Sequence, residues 1–208
     1  IAATYLQRLL DSIDFPVGAL VIVQNGEDAA VSNVLERARQ TFGSRLIVRK
    51  HAQNAGIARA WNDIMDEAQA LDAEWSLIIN DDIAFPPGDL AKIAHAMALR
   101  VLPSVDKFCG MLPAVHYSPD GGFSCFTLTR ACRGVVGAFD ENFFPAFYED
   151  SDFTRRADAL GLQFARLATT AVVHGNEKIN RYESGTNALN PNSPSKLAYK
   201  RQVERACN

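Results

Sequence analysis

The strongest constraint on the fold is an alternation. Short runs of wholly apolar residues are each followed by a polar loop, then by a segment with apolar residues at helical spacing. Residues 4–13 place Tyr5, Leu6, Leu9, Leu10 and Ile13 on one helical face. Residues 17–23 (VGALVIV) read as a buried strand and 30–42 as a helix carrying Val31, Val34, Leu35 and Ala38. A short strand over 45–48, a helix over about 56–70 and a strand over 75–79 continue the pattern. This rhythm predicts an α/β fold with a mainly parallel sheet covered on both faces. Polar loops then fall at the carboxyl ends of the strands, where such sheets bind ligands. A helix in this rhythm should follow a strand, yet the sequence opens on one. Either a first strand is missing or the sheet starts one strand short.

The second half changes character. A helix over 88–99 follows Pro86-Pro87, and strands over 108–112 and 123–129 flank a Ser-Pro-Asp-Gly-Gly turn at 118–122. An aromatic stretch over 139–148 leads into a helix over about 149–160, and a last strand covers about 171–174. From Asn176 onward the chain is rich in Asn, Ser and Pro and reads as loop with a short helix near its end. The 208 residues fit one domain, with no internal repeat.

Charge limits the partners. The formal net charge of -3 gives no global attraction for nucleic acid or an anionic membrane, so a bound anion needs a local site. No apolar run reaches the ~18 residues of a membrane span, and no signal peptide opens the sequence. Cys109, Cys125, Cys132 and Cys207 form no CxxC pair, and they read as free, mostly buried thiols of a reducing compartment. The absence of an N-x-[ST] sequon agrees. The expected setting is cytoplasmic, with any membrane association supplied by regions outside this sequence.

Four segments carry chemistry. In Asn80-Asp81-Asp82, two adjacent carboxylates just past a buried strand repel each other. A hard divalent cation bridging to a diphosphate would relieve that; a solvated turn is the plainer reading. Glu149-Asp150-Ser151-Asp152 opens a helix, where negative charge is favoured by the dipole, so Asp152 reads as a cap. The aromatic approach of Phe143, Phe144, Phe147 and Tyr148 could raise a carboxylate toward a useful base. His174 ends an apolar strand, a suitable place for an imidazole ligand, although a lone histidine is usually structural. His51, His95 and His116 have no such context. Asn54-Ala55-Gly56 leads to Arg59 at a helix start, which reads either as a diphosphate cradle or as a simple loop-to-helix entry. Neither GxGxxG nor GxxxxGK[ST] occurs.

In order, these pieces resemble the family 2 glycosyltransferases of the GT-A fold, over about residues 5–175. The matching motifs are Asn54-Ala55-Gly56, Asn80-Asp81-Asp82, Gly137-Ala138-Phe139-Asp140-Glu141-Asn142-Phe143-Phe144, and Glu149-Asp150-Ser151-Asp152-Phe153 with Arg155 or Arg156 following. His174 sits at the place of the family's late metal-binding histidine.

The resemblance implies a single Rossmann-like GT-A domain over 1–208, its mostly parallel sheet flanked by helices, with a small antiparallel acceptor-side portion. Residues 1–100 would form the nucleotide-sugar half, 101–176 the acceptor and catalytic half and 177–208 a tail, within what could be a longer polypeptide. It implies Mn²⁺ or Mg²⁺ held by Asp82 and His174, with Asp150 as catalytic base and Glu149 orienting the acceptor. Asn25, Asn54, Gly56, Arg59, Asn80 and Asp81 would contact the donor, with Asn80 on the ribose and Arg59 near the diphosphate. The implied reaction is inverting transfer of a hexose or deoxyhexose from a nucleotide-diphosphate sugar to a hydroxyl of a glycan or glycoconjugate. A UDP-sugar is favoured over GDP- or dTDP-sugars. Two departures bear on the base: the family's first strand, with its proline-threonine-tyrosine-like loop, has no counterpart, and Gln24-Asn25-Gly26-Glu27 replaces the usual Asp-Asn-x-Ser. Two rival readings are a sugar-nucleotide pyrophosphorylase, whose G-x-G-x-R-like loop is not found, and a non-catalytic nucleotide-sugar or glycan binding module, which would not need Asp150.

Overall fold

A computed structural model describes residues 3–101, 107–115 and 123–175. The helices are α1 (Ala3–Asp11), α2 (Ala29–Phe42), α3 (Ile57–Ala70), α4 (Asp89–Val101), α5 (Arg130–Val136) and α6 (Glu149–Ala159). The strands are β1 (Leu20–Asn25), β2 (Leu46–His51), β3 (Trp75–Ile79), β4 (Ile83–Ala84), β5 (Phe108–Val115), β6 (Cys125–Thr129) and β7 (Gln163–His174). The turn at 118–122, the tail over 177–208, His116 and Cys207 lie outside the described residues.

The class is α/β as expected, but the parallel part is small. β1 pairs with β2 and β5 with β7 in parallel, whereas β3–β6 and β4–β7 are antiparallel. β7 is the longest strand and lies between β4 and β5. β5 also runs close to β6: Met111 N donates to Thr127 Oγ1 at 2.7 Å. A side chain at Gly110 would put its Cβ 1.9 Å from Thr127 O, so only glycine allows that approach.

Two apolar clusters hold the layers together. In the first, the stripes of α1 (Leu6, Leu9, Leu10) and α2 (Val31, Val34, Leu35, Ala38) close over Ile22, Ile83 and Val172. In the second, Trp61 of α3 meets Phe126 and Phe139 edge-on, and Phe139 stacks on Phe153 of α6 at 4.4 Å between centroids. Asp28 starts α2, its Oδ1 accepting from Ala30 N and Val31 N at 2.7 and 3.1 Å.

The structure departs from the sequence reading in four places. Helix α5 and strand β4 are additional elements, and β7 begins at Gln163, eight residues before the predicted 171. Cys109 of β5 and Cys132 of α5 form a disulfide with Cα atoms 4.8 Å apart, because β6 runs directly into α5 beside β5. Cys125 is a buried free thiol whose pKa is raised by burial. The Cys109–Cys132 bond corrects the expectation of free thiols at these two positions, and with it the support they lend to a reducing compartment.

Candidate active site

The two proposed metal ligands meet. β4 and β7 pair with Ile83 opposite His174, so Asp82, just before β4, comes beside the last residue of β7. His174 Nε2 lies 3.2 Å from Asp82 Oδ1, and the two side chains are 30% and 17% exposed, open enough for a ligand to reach. The backbone around them is fastened. Gly175 N donates to Asp82 O at 2.9 Å, Asn80 N donates to Ser124 O at 2.9 Å, and Ile83 N donates to Asn80 O at 3.3 Å. Asp81 shares this turn and is half-buried, as is Asn80.

Arg8 of α1 adds a second fastening. Its Nη2 donates to Asp82 O at 2.6 Å and its Nη1 to Gly175 O at 2.9 Å. Nothing in the sequence around Arg8 distinguishes it from an ordinary surface cation of an amphipathic helix.

The residues expected on the donor form a second group at the ends of β1 and β2. Asn25 Nδ2 donates to Asn54 Oδ1 at 3.0 Å and to Gly56 O at 3.2 Å, while Asn25 Oδ1 accepts from Ala55 N at 2.7 Å. The two loops are thus zipped by one asparagine. At the start of α3 two backbone amides are engaged by the protein itself. Gly56 N donates to Asn54 Oδ1 at 2.9 Å, and Ile57 N donates to Pro145 O at 2.9 Å. The segment at 144–145 packs so close that a Cβ on Gly56, whose φ is 89°, would meet Phe144 at 3.0 Å. The amides of Gly56 and Ile57 are thus taken up by tertiary packing that sequence spacing does not encode.

Arg59 is also engaged, with Nε 3.0 Å from Asp63 Oδ1 and Nη1 3.6 Å from Glu141 Oε2. These two carboxylates raise its pKa, Asp63 more than Glu141. Asp63 in turn meets His51 Nε2 at 2.5 Å. His51, which has no such context in the sequence, therefore belongs to a chain of polar groups from β2 through α3 to Glu141. Register decides this: His51 is paired with Asn25 at the strand end.

The acidic pair opens α6. Tyr148 precedes it in the left-handed region (φ 74°), as does Phe147 (φ 81°), and no side chain caps the helix. Asp152 pairs with Arg156 at 2.8 Å instead of capping. Asp150 Oδ1 accepts from Ser151 N at 2.7 Å and from Ser151 Oγ at 3.3 Å. Glu149 is only 5% exposed, and its Oε2 is buried without a hydrogen-bond partner. Burial first, and the neighbouring Asp150 charge second, push its pKa up to about 7. The carboxyl raised toward neutrality is thus that of Glu149. Of the aromatic approach, Phe143 is buried while Phe144 and Phe147 are exposed.

Comparison with known proteins is consistent across sequence and structure. The sequence profile of a family described as Glycosyl transferase family 2 matches residues 3–116. A protein of Leishmania donovani named galactofuranosyl glycosyltransferase is 23% identical over 76% of this chain and 50% of its own length. The mannosyltransferase PcManGT from Pyrobaculum calidifontis, solved with GDP-Man and Mn²⁺, aligns with a TM-score of 0.64 at 15% identity, over 83% of this chain and 53% of its own. GalNAc-T7, solved with UDP, GalNAc and Mn²⁺, aligns with a TM-score of 0.72 at 12% identity, over 97% of this chain and 46% of its own. The chain spans about half the length of these relatives. Among the described residues no helix is long and apolar enough to cross a membrane.

Proposed function

The chain belongs to glycosyl transferase family 2, and we propose that it carries the nucleotide-sugar site of an inverting glycosyltransferase. The reaction moves a hexose or deoxyhexose from a nucleotide-diphosphate sugar to a hydroxyl of a glycan or glycoconjugate. The observation that carries this reading is the 3.2 Å approach of His174 Nε2 to Asp82 Oδ1.

That spacing fits a divalent cation. Two ligands about 2.1 Å from an ion at adjacent octahedral positions stand about 3 Å apart, and a carboxylate with an imidazole suits Mn²⁺, or Mg²⁺ less well. Among the described residues no cluster of three or more His, Cys, Asp or Glu side chains forms, so the remaining ligands would be diphosphate oxygens or water. When bound, the cation supplies Lewis acidity toward the charge that builds on the departing diphosphate.

The protein's own groups divide the other tasks. Asn80 and Asp81, in the turn before Asp82, face the ribose side of the donor. Asn25, Asn54 and Gly56 shape the wall at the ends of β1 and β2 through their mutual hydrogen bonds. Arg59 leaves its carboxylate partners to meet the diphosphate. Asp150, whose Oδ1 is oriented by Ser151, accepts the acceptor hydroxyl's proton on Oδ2 as that oxygen attacks the anomeric carbon. The C–O bond to the diphosphate breaks as the new one forms, with inversion. Glu149, half-protonated near neutral pH, keeps the pair from carrying two full charges.

Similarity to proteins solved with UDP and with GDP-Man supports a nucleotide-sugar donor of either base, with UDP-sugars tried first. The galactofuranosyl relative adds a hexofuranose donor to the screen. The test is nucleotide release from UDP-, GDP- and dTDP-sugars with and without Mn²⁺. Mn²⁺-stimulated release that is lost on adding chelator supports the proposal. Tight Mn²⁺-dependent nucleotide binding with no turnover on any donor would instead favour a non-catalytic binding module.

A further inference from the structure

We infer that Arg8 is a positioning residue for the Asp82–His174 pair, acting through the backbone of both ligand-bearing loops. The inference rests on the reading of that pair as a cation site. Asp82 and His174 come from separate strands, and β4, which brings them together, has only two residues, Ile83 and Ala84. So short a ladder is a weak constraint on two side chains that must converge to within a few tenths of an ångström.

Arg8 supplies the missing constraint. One guanidinium donates from Nη2 to the carbonyl of Asp82 itself at 2.6 Å and from Nη1 to the carbonyl of Gly175, the residue after His174, at 2.9 Å. Asp82 O also accepts from Gly175 N at 2.9 Å, so guanidinium and amide close a three-way junction between the loops. The fork is rigid and planar, and its two donors reach two carbonyls at once, which an ammonium on a flexible stem cannot reproduce. The Arg8 group lies 5.3 Å from the Tyr5 ring centre, and its Nε is buried without a partner. A buried donor left unsatisfied is costly. A side chain chosen for stability alone would not keep one, whereas a side chain fixed by the two outer donors would. Helix α1 thus does more than close the core: it holds the ligand loops in register.

The test compares the full chain with Arg8→Lys and Arg8→Met, reading Mn²⁺ affinity by electron paramagnetic resonance and UDP affinity without metal by calorimetry. Asp82→Ala serves as the reference for loss of the site. Both Arg8 variants are expected to lose roughly tenfold or more in Mn²⁺ affinity. Metal-free UDP affinity should stay at the wild-type level, and hydrogen exchange at the Gly175 amide should speed up. A purely structural role would lower melting temperature and both affinities together. Wild-type Mn²⁺ affinity in folded Arg8→Lys overturns the inference, and Arg8→Lys keeps the test valid where Arg8→Met fails to fold. If the wild-type chain binds Mn²⁺ no better than Asp82→Ala, the cation reading itself fails and this inference goes with it. That outcome is distinct, because it appears before any Arg8 variant is made.

Discussion

Asn62 and Phe139 are joined by a reciprocal pair of hydrogen bonds: Asn62 Nδ2 donates to Phe139 O at 3.0 Å, and Phe139 N donates to Asn62 Oδ1 at 2.9 Å. Asn62 Nδ2 also donates to Glu141 Oε1 at 2.8 Å. A single buried side chain of α3 thus satisfies the backbone of the segment that leads to the acidic pair. Asn62→Ala should cost about 2–4 kcal/mol, because it orphans a buried N–H and C=O at once. Urea unfolding measures this, and a loss well under 1 kcal/mol would show that water replaces the amide.

Removing either member of the Asp82–His174 pair should weaken metal-dependent nucleotide binding. We expect Asp82→Ala and His174→Ala each to raise the UDP Kd at least tenfold with Mn²⁺ present, a change of about 1.4 kcal/mol. Without Mn²⁺ the variants should match the wild type. Calorimetry under both conditions decides, and equal affinities with the metal present would remove the pair from donor binding.

Asp150→Asn should lower the transfer rate by roughly 10²–10⁴-fold, the usual contribution of a positioned base, while donor affinity changes little. Steady-state turnover alongside donor Kd separates the two effects. Unchanged turnover would exclude Asp150 as the base.

Glu149 should make stability fall with rising pH. Its folded value is raised to about 7 from an ordinary 4.5, so the folded state holds a proton that the unfolded state has released. The destabilisation is absent below about pH 4.5, grows between there and about 7, and is complete above, at roughly 3 kcal/mol. Glu149→Gln should flatten this part of the curve and raise stability at pH 8. Melting temperatures from pH 4 to 8 test it, and parallel curves for variant and wild type would show that the carboxyl stays hydrated.

Gly110→Ala should destabilise by about 3 kcal/mol or more, since its Cβ would land 1.9 Å from Thr127 O and backbone must yield. Thermal unfolding measures the loss. A near-neutral variant would mean that β5 and β6 can part without harm.

Much of the framework was legible in the sequence. The stripes of α2 and α3 and the apolar run of β3 were placed within a residue or so because their burial follows one regular period. Helix α5 escaped because its seven residues, RACRGVV, carry no clear stripe and follow β6 without a break. β7 looked short because residues 163–169 mix exposed and half-buried positions, although pairing with β5 holds the strand from Gln163. The same division runs through the candidate site. Asp82 and His174 could be singled out because one closely follows an apolar strand and the other ends one. Arg8 could not, since its task depends on two carbonyls far away in the chain. The contact of Pro145 with the first amide of α3 was equally hidden, because what packs over an amide is not written in local spacing.

That contact between Ile57 N and Pro145 O ties the start of α3 to the segment that precedes the acidic pair. Swinging residues 144–145 outward strips α3 of the acceptor for its first amide and uncrowds Gly56, whose carbonyl Asn25 also holds. Opening at residues 144–145 and slackening of the loops after β1 and β2 would therefore be one mechanical event, and deuterium uptake at Ile57 would serve as its clock.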